Sequence, residues 1–169
     1  MRFYYLNEKY VAYLKSFDSS VCDNKHQTRP YIGVVLQING FDYYVPLSSP
    51  KPKHRTMSNG KDFRKINHGV YGVINFNLMV PVPPSEVIPI DFPSLDEKYR
   101  RLLQNQLRFI KRDSADIINT ARDLRKMFDL ADSSLTENDT KIKNRCVNFP
   151  LLELKAKEYK QQMCRTCVV

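Results

Sequence analysis

Two hydroxyls, two ammonium groups, a guanidinium and an imidazole lie within eight consecutive residues of this chain. The segment reads Ser48-Ser49-Pro50-Lys51-Pro52-Lys53-His54-Arg55. Its two prolines restrict the backbone, so its cationic side chains are expected to point in defined directions. Hydroxyl and cationic groups stabilise charge on a phosphodiester, and an imidazole or an amine transfers protons near neutral pH. The segment therefore predicts a phosphate site that suits RNA cleavage without a metal ion.

Other kinds of catalytic site lack their signatures here. The sequence contains no HExxH, no DxD and no glycine-rich phosphate loop. Ser49 has no Ser-His-Asp context, so its hydroxyl is interpreted as a hydrogen-bond donor to phosphate and not as a nucleophile. Cys164-x-x-Cys167 is half of a zinc motif without a second pair at ligand spacing. We expect neither a metal nor a cofactor.

The charge distribution favours a polyanionic partner. The formal net charge is +9, and residues 51–75 contain six basic side chains against one acidic. Clustered Lys and Arg gain free energy by displacing counterions from phosphates. A second set of basic residues lies on a predicted helix and either contacts phosphates or simply forms a solvated face. The set consists of Arg100, Arg101, Arg108, Lys111 and Arg112.

The N-terminal half is predicted to be a β-sheet that positions the Ser48–Arg55 segment. A first strand is followed by a helix that Asn7 caps, and Asn39-Gly40 predicts a tight hairpin turn. The strands are expected at Arg2–Leu6, Tyr31–Ile38, Phe41–Leu47, Lys61–Ile66 and Val70–Met79, and the helix ends near Phe17. The segment then follows the second hairpin strand as a loop. Asn75 and Asn77 alternate with Phe76, which gives a polar strand face that could read bases or simply be exposed.

The C-terminal half changes to helical spacing of apolar residues. The proline-bearing stretch Val80–Pro93 is expected to cross an edge of the sheet, and Asp132–Lys143 is expected to be a polar, mobile connection. Helices are expected at Asp96–Lys111, Ile117–Leu130 and Phe149–Met163. The chain is therefore predicted to be one α+β domain over residues 1–169. We expect a cytoplasmic protein with no membrane segment, because no apolar run approaches ~20 residues and no signal peptide is recognised.

Three classes of function are compatible with these residues. An endoribonuclease explains the hydroxyls, the imidazole and the basic charge together. A non-catalytic RNA-binding regulatory protein could use the same basic surface, and a DNA-directed regulator would need a helix-turn-helix that the sequence does not show.

Seven segments, in order along nearly the whole chain, resemble the ToxN/AbiQ family of endoribonuclease toxins from bacterial type III toxin–antitoxin systems. They are Arg2–Tyr5, Tyr10–Leu14, Tyr31–Leu36, Pro46–Lys51, Leu78–Pro83, Tyr99–Leu103 and Asn148–Glu153. The resemblance implies a strongly bent antiparallel sheet, similar to the Kid/MazF toxins, with flanking helices and a mainly helical C-terminal half. It implies metal-independent RNA cleavage, through 2′-hydroxyl attack, that leaves a 2′,3′-cyclic phosphate, often at A-rich sites.

The resemblance also implies the partners. Such a toxin processes its own repetitive antitoxin RNA and is then held inactive by the folded pseudoknot units in a closed protein–RNA assembly. Cellular or phage RNA would be the substrate of the released toxin, with growth arrest and phage defence as the result.

Matching the motifs residue by residue implies roles at the site. Ser48 and Ser49 occupy the hydroxyl pair before Pro-Lys, and Lys51 matches the lysine that follows. Tyr10 falls where relatives have an active-site tyrosine, to orient the substrate or to act as a phenol. A buried core tyrosine is the alternative, because Tyr10 lies on the predicted apolar face of its helix.

The remaining matches are less uniform within the family. Arg29 stands where relatives usually have a lysine, and it can only neutralise phosphate, because its pKa exceeds ~12. His54 matches a histidine of some relatives, and Lys53 stands where some relatives have an aromatic residue. We expect His54 or Lys53 to take part in proton transfer, and Lys53 and Arg55 to bind RNA.

Overall fold

The computed structural model describes residues 1–23, 26 and 28–166, without the side chains of Val34 and residues 164–166. Seven antiparallel strands are described, in the spatial order β4-β5-β3-β2-β1-β7, with β6 beside β3. Their bounds are β1 Arg2–Leu6, β2 Tyr31–Ile38, β3 Phe41–Ser48, β4 Phe63–Lys65, β5 Val73–Asn75, β6 Val80–Pro81 and β7 Val87–Pro89. The helices are α1 Glu8–Phe17, α2 Lys53–Thr56, α3 Glu97–Arg112, α4 Ser114–Lys126, α5 Glu137–Lys143 and α6 Phe149–Thr166. This confirms the predicted α+β class.

The hairpin of β2 and β3 is the centre of the sheet. Asn39 and Gly40 both adopt positive φ, at 53° and 79°, as a two-residue turn between right-twisted strands requires. Strand β3 pairs with β6 near Tyr43 and with β5 near Ser48, and a register shift interrupts β2 between Ile32 and Leu36. A change of partner and a bulge are the devices that bend a sheet.

Helices α1, α3, α4, α5 and α6 all contribute buried residues to the core. The apolar face of α1 is buried, as its spacing predicts, and Tyr13 donates a hydrogen bond to the carbonyl of Lys155 in α6. α4 contacts β2, and α6 contacts β6. None of the described helices has the length and apolar content that a membrane crossing requires.

A buried ion pair joins two of these helices to the central strand. Arg125 of α4 donates from Nε and Nη2 to the carboxylate of Glu153 in α6, at 2.8 and 2.9 Å. Tyr43 of β3 donates its hydroxyl to the same carboxylate at 2.6 Å. Burial and the neighbouring carboxylate raise the pKa of the Tyr43 phenol. α4, α6 and β3 are therefore held together by one polar network.

Three sequence predictions about elements were wrong. Asp132–Lys143 was expected to be a mobile connection but contains α5, which a capping box of Thr136 and Asp139 begins. The expected strands Lys61–Ile66 and Val70–Met79 are shorter in the structure, as β4 and β5. Residues with positive φ turn the chain between them, and a 3-10 turn follows Asn75; the residues with positive φ are Asn67, His68, Gly69 and Gly72. The expected loop after β3 contains the single turn α2.

Candidate active site

An open groove of about 200 Å³ lies at the end of β3. It brings together the predicted residues Ser48, Lys51, Lys53 and His54, with Asn75 of β5 as an additional polar member. Strand pairing explains why these segments meet, since Ser48 pairs with Val73 at the end of the β3–β5 ladder. The groove is polar and shallow, as a surface that binds an extended phosphodiester requires.

Ser48 is the most firmly positioned hydroxyl of the groove. Asn75 Nδ2 donates to Ser48 Oγ at 2.9 Å and to the carbonyl of Pro46 at 3.3 Å. Because Ser48 Oγ accepts this bond, its own hydrogen stays available to a ligand. Gly72 fixes the backbone below, since its φ is +93° and an added Cβ would lie 2.0 Å from the Ser48 carbonyl oxygen. Sequence reasoning saw Asn75 only as part of a polar strand face and missed this role.

His54 is buried at the start of α2, with only 4% of its surface exposed. The backbone N–H of Lys51 donates to its Nδ1 at 3.2 Å. Burial, together with the positive charges of Lys53 and Lys51, lowers the pKa of the imidazole below its ordinary value. His54 is therefore neutral near pH 7, with Nδ1 as acceptor and the ring proton on Nε2.

The two lysines beside His54 keep their charge available. Lys51 and Lys53 are both exposed, and neither makes an ion pair within the described part of the chain. Unpaired ammonium groups at the rim of a groove attract an anion that has not yet bound.

Arg29 lies close to the same end of β3 along the neighbouring strand. Pro30 accepts a hydrogen bond from the N–H of Leu47 at 3.0 Å, so residue 29 stands opposite Ser48. Its Nε donates to the carbonyl of Asp23 at 2.7 Å, and Arg29 is not among the residues that line the groove. Its role in neutralising phosphate stays a prediction.

Tyr10 does not reach the groove in this structure. The side chain is completely buried, and its hydroxyl donates to the carbonyl of Pro81 at 2.7 Å. Burial raises the pKa of the phenol, so it is a core hydrogen-bond donor and not a proton acceptor. The core-tyrosine alternative fits this geometry, and contact with substrate does not.

Ser49 and Arg55 are exposed beside the groove without lining it. Ser49 follows the last residue of β3, and Arg55 lies in α2. Their predicted roles at the RNA stay predictions.

The basic residues predicted on the helix lie on α3, apart from the groove lining. Arg101 pairs with Glu97, and Arg112 pairs with Asp113 at 2.9 Å and lies over the ring of Phe109. Arg108 and Lys111 are exposed, and Arg100 is half-exposed. α3 therefore presents a separate cationic surface.

Comparison with known proteins decides the family. The family model described as "Toxin ToxN, type III toxin-antitoxin system" matches residues 2–157. The chain belongs to the ToxN family.

Curated ToxN relatives are similar over nearly their full length. Endoribonuclease ToxN of Pectobacterium atrosepticum is 33% identical and aligns over 94% of both chains. Endoribonuclease AbiQ of Lactococcus lactis subsp. lactis is 29% identical over 96% of this chain and 91% of its own. The resemblance inferred from the ordered segments is confirmed.

Solved structures agree with the ToxN assignment. One, which describes selective toxin inhibition by a non-coding RNA pseudoknot, has a TM-score of 0.83 at 32% identity and covers 94% of this chain and 97% of its own. A second, which describes a lactococcal anti-phage endoribonuclease of a type III system, has a TM-score of 0.76 at 28% identity and covers 95% and 98%. The ToxN fold is thus confirmed, and the roles of individual site residues stay predictions.

Proposed function

We propose that this ToxN-family protein is an endoribonuclease toxin that cleaves RNA through attack of the 2′-hydroxyl on the adjacent phosphate, without a metal ion. The products would be a 2′,3′-cyclic phosphate and a free 5′-hydroxyl. The observation that carries the proposal is the groove at the end of β3, where an oriented Ser48 hydroxyl lies beside two unpaired lysines. Named endoribonucleases among the relatives support the reaction class.

The groove supplies hydrogen bonds and positive charge to the phosphate. Ser48 donates its free hydroxyl hydrogen to a non-bridging oxygen, and Ser49 offers a second hydroxyl from the exposed side. Lys51 and Arg29 neutralise the charge that grows on the phosphate in the transition state. The 2′-hydroxyl proton passes to solvent water, and the ammonium group of Lys53 protonates the departing 5′ oxygen and then regains its proton from water, to which it is exposed.

His54 acts in this mechanism as a neutral hydrogen-bond donor through Nε2. To serve as a base it would need a free Nε2 lone pair, which places the proton on Nδ1. A proton on Nδ1 would point at the backbone N–H of Lys51, so two donors would face each other. In the structure this N–H donates to Nδ1 at 3.2 Å. The backbone bond therefore favours the donor tautomer and disfavours a base at this position.

The inhibitor we propose is a structured antitoxin RNA of pseudoknot repeats, held in a closed protein–RNA assembly in the cytoplasm. Support comes from the ToxN relative whose structure describes inhibition by an RNA pseudoknot. The basic residues of α3 would contact the phosphates of this antitoxin RNA, because they are cationic and lie apart from the groove. Growth arrest and defence against phage follow from cleavage of cellular or phage RNA by the released toxin.

The test is cleavage of a single-stranded RNA in excess EDTA by the wild type and by Ser49→Ala and Lys51→Ala, with the cleaved ends identified. We expect cleavage in EDTA, 2′,3′-cyclic ends, and a rate at least tenfold lower in each variant. Cleavage abolished by EDTA, or unchanged in both variants, would refute the mechanism. Salt-sensitive binding with no cleavage at any enzyme concentration would establish the non-catalytic RNA-binding alternative.

A further inference from the structure

A second and much larger cavity adjoins the catalytic groove. It has a volume of about 900 Å³ and lies between residues 58–63, the C-terminal end of α4 and α5. This volume is within the range of pockets that bind small ligands. None of the roles predicted for the Ser48–Arg55 segment or for α3 uses this cavity, which we name the α4–α5 cleft.

The cleft and the groove share one wall, made by Asp62 and Phe63. The wall is rigid, because Arg145 binds Asp62 through Nε–Oδ2 at 2.7 Å and Nη2–Oδ1 at 3.3 Å. The carbonyl of Asp62 also accepts a hydrogen bond from the N–H of Asn77 at 3.0 Å. The two cavities are therefore immediate neighbours, with Asp62 and Phe63 between them.

The charges of the cleft differ from those of the groove. The cleft is lined by three basic and three acidic side chains, so their formal charges cancel. They are Lys61, Lys126 and Arg145, and Asp62, Asp123 and Asp139. Lys61 pairs with Asp139 at 2.6 Å, as Arg145 does with Asp62. The groove offers phosphate two unpaired lysines, whereas the cleft offers almost no net charge. The cleft is thus suited to the uncharged part of a nucleotide.

The apolar surface of the cleft is suited to a flat ring. Leu124, Met127 and Ile142 form its buried floor, and Leu130 lines it with 51% of its surface exposed. Phe63 adds an aromatic face, on which a nucleobase gains stacking energy. Leu130 and Phe63 thus leave apolar surface at the cleft that a flat ring can cover.

We propose that the α4–α5 cleft binds the base of one unpaired RNA nucleotide flanking the scissile phosphate, and thereby contributes to the choice of cleavage sequence. The inference rests on the proposed function for the position of the phosphate. Leu130 and Phe63 would hold the base, and the Asp62–Phe63 wall would separate it from the phosphate groove.

The first test is the cleavage profile of an RNA with randomised positions on both sides of the scissile bond. Leu130→Asp should lower kcat/KM by about tenfold and flatten the base preference at one flanking position. Ile88→Asp is the control, because Ile88 is also an exposed apolar residue but lies on β7, at the sheet edge opposite β4. A Leu130→Asp profile and rate equal to those of the wild type would overturn the proposal.

The second test does not depend on cleavage. A single-stranded RNA containing 4-thiouridine, crosslinked to the wild-type protein, should label residues 58–63 or 124–130. Labelling confined to other segments would overturn the proposal. Labelling of the cleft by a protein that cleaves no RNA would refute the proposed function and leave the cleft as an RNA-binding site.

Discussion

Asn75 is expected to control the rate of cleavage through Ser48, although its own amide need not touch the RNA. Its Nδ2 donates to Ser48 Oγ at 2.9 Å and so keeps the hydroxyl hydrogen free for the phosphate. In Asn75→Ala the hydroxyl loses this constraint and rotates. In Asn75→Asp the carboxylate accepts the hydroxyl hydrogen and turns it away from the phosphate, so the loss of rate should be larger.

The expected magnitudes follow from the energy of one hydrogen bond. A neutral bond contributes roughly 1 kcal/mol net, so Asn75→Ala should lower kcat by about fivefold. Removal of one donor to a developing oxyanion costs about 10²-fold or more, which is the expectation for Ser48→Ala. If Asn75 acts only through Ser48, the double variant should be no slower than Ser48→Ala alone.

The assay is a double-mutant cycle of kcat and KM on one RNA, with urea unfolding of every variant. Asn77→Ala is the matched control, because Asn77 lines the same groove but donates to the carbonyl of Arg145 at 3.0 Å. Its effect should add to that of Ser48→Ala. Additive effects of Asn75→Ala and Ser48→Ala would refute the positioning role, as would a change confined to KM.

Three further predictions concern pH and stability. With its pKa lowered from 6.5, His54 stabilises the fold fully above pH 6.5, and the contribution is lost as the pH falls through the folded-state pKa. Activity should fall over the same pH window. His54→Asn keeps an acceptor for the N–H of Lys51 and should remove this loss at low pH from both the pH–rate and the pH–urea profiles. An unchanged loss at low pH would show that His54 is not the titrating group. Gly72→Ala should lower the free energy of unfolding by at least about 2 kcal/mol, because the added Cβ meets the Ser48 carbonyl. Gly40→Ala is the control: Gly40 also has a positive φ but nothing within 4 Å, so the free energy of unfolding should fall only by the backbone strain of about 1 kcal/mol. Equal urea midpoints for the two variants would refute the clash with Ser48. Arg125→Met leaves the Glu153 carboxylate buried without its arginine partner and should lower the free energy of unfolding in urea by about 3–5 kcal/mol. Adding Glu153→Gln removes the buried charge and should recover part of this loss. No recovery would show that the uncompensated charge is not the cause.

Local signals in the sequence were sufficient for the elements with strong caps or turns. Asn7 caps α1 and Asp96 caps α3 through their side chains, and Asn39-Gly40 forms the hairpin turn. α5 has an equally local signal in Thr136 and Asp139, which the polar composition of its segment obscured. The shortened β4 and β5 could not be foreseen, because β-branched composition does not show where Gly69 and Gly72 turn the chain.

The site was predictable where its residues are neighbours in sequence. Ser48, Lys51, Lys53 and His54 line one groove, as their spacing suggested. The tautomer of His54 depends on the exact local turn that brings the N–H of Lys51 to Nδ1, and the bond from Asn75 depends on the approach of two segments; periodicity encodes neither. Tyr10 was ambiguous for the opposite reason, since an apolar helix face fits both a core residue and a site residue.

The ion pair between Arg125 and Glu153 has a consequence for the order in which the chain can fold. β3, which carries Ser48, is complete early in synthesis, but the carboxylate that binds Tyr43 and Arg125 is added more than one hundred residues later. Until Glu153 has left the ribosome, Arg125 has Asp129 but lacks the carboxylate that its Nε and Nη2 contact, and α1 lacks α6 beside it. The network that ties β3 to α4 and α6 is therefore expected to form only after residue 153 has been synthesised, so the strand that ends at Ser48 gains this support late in folding.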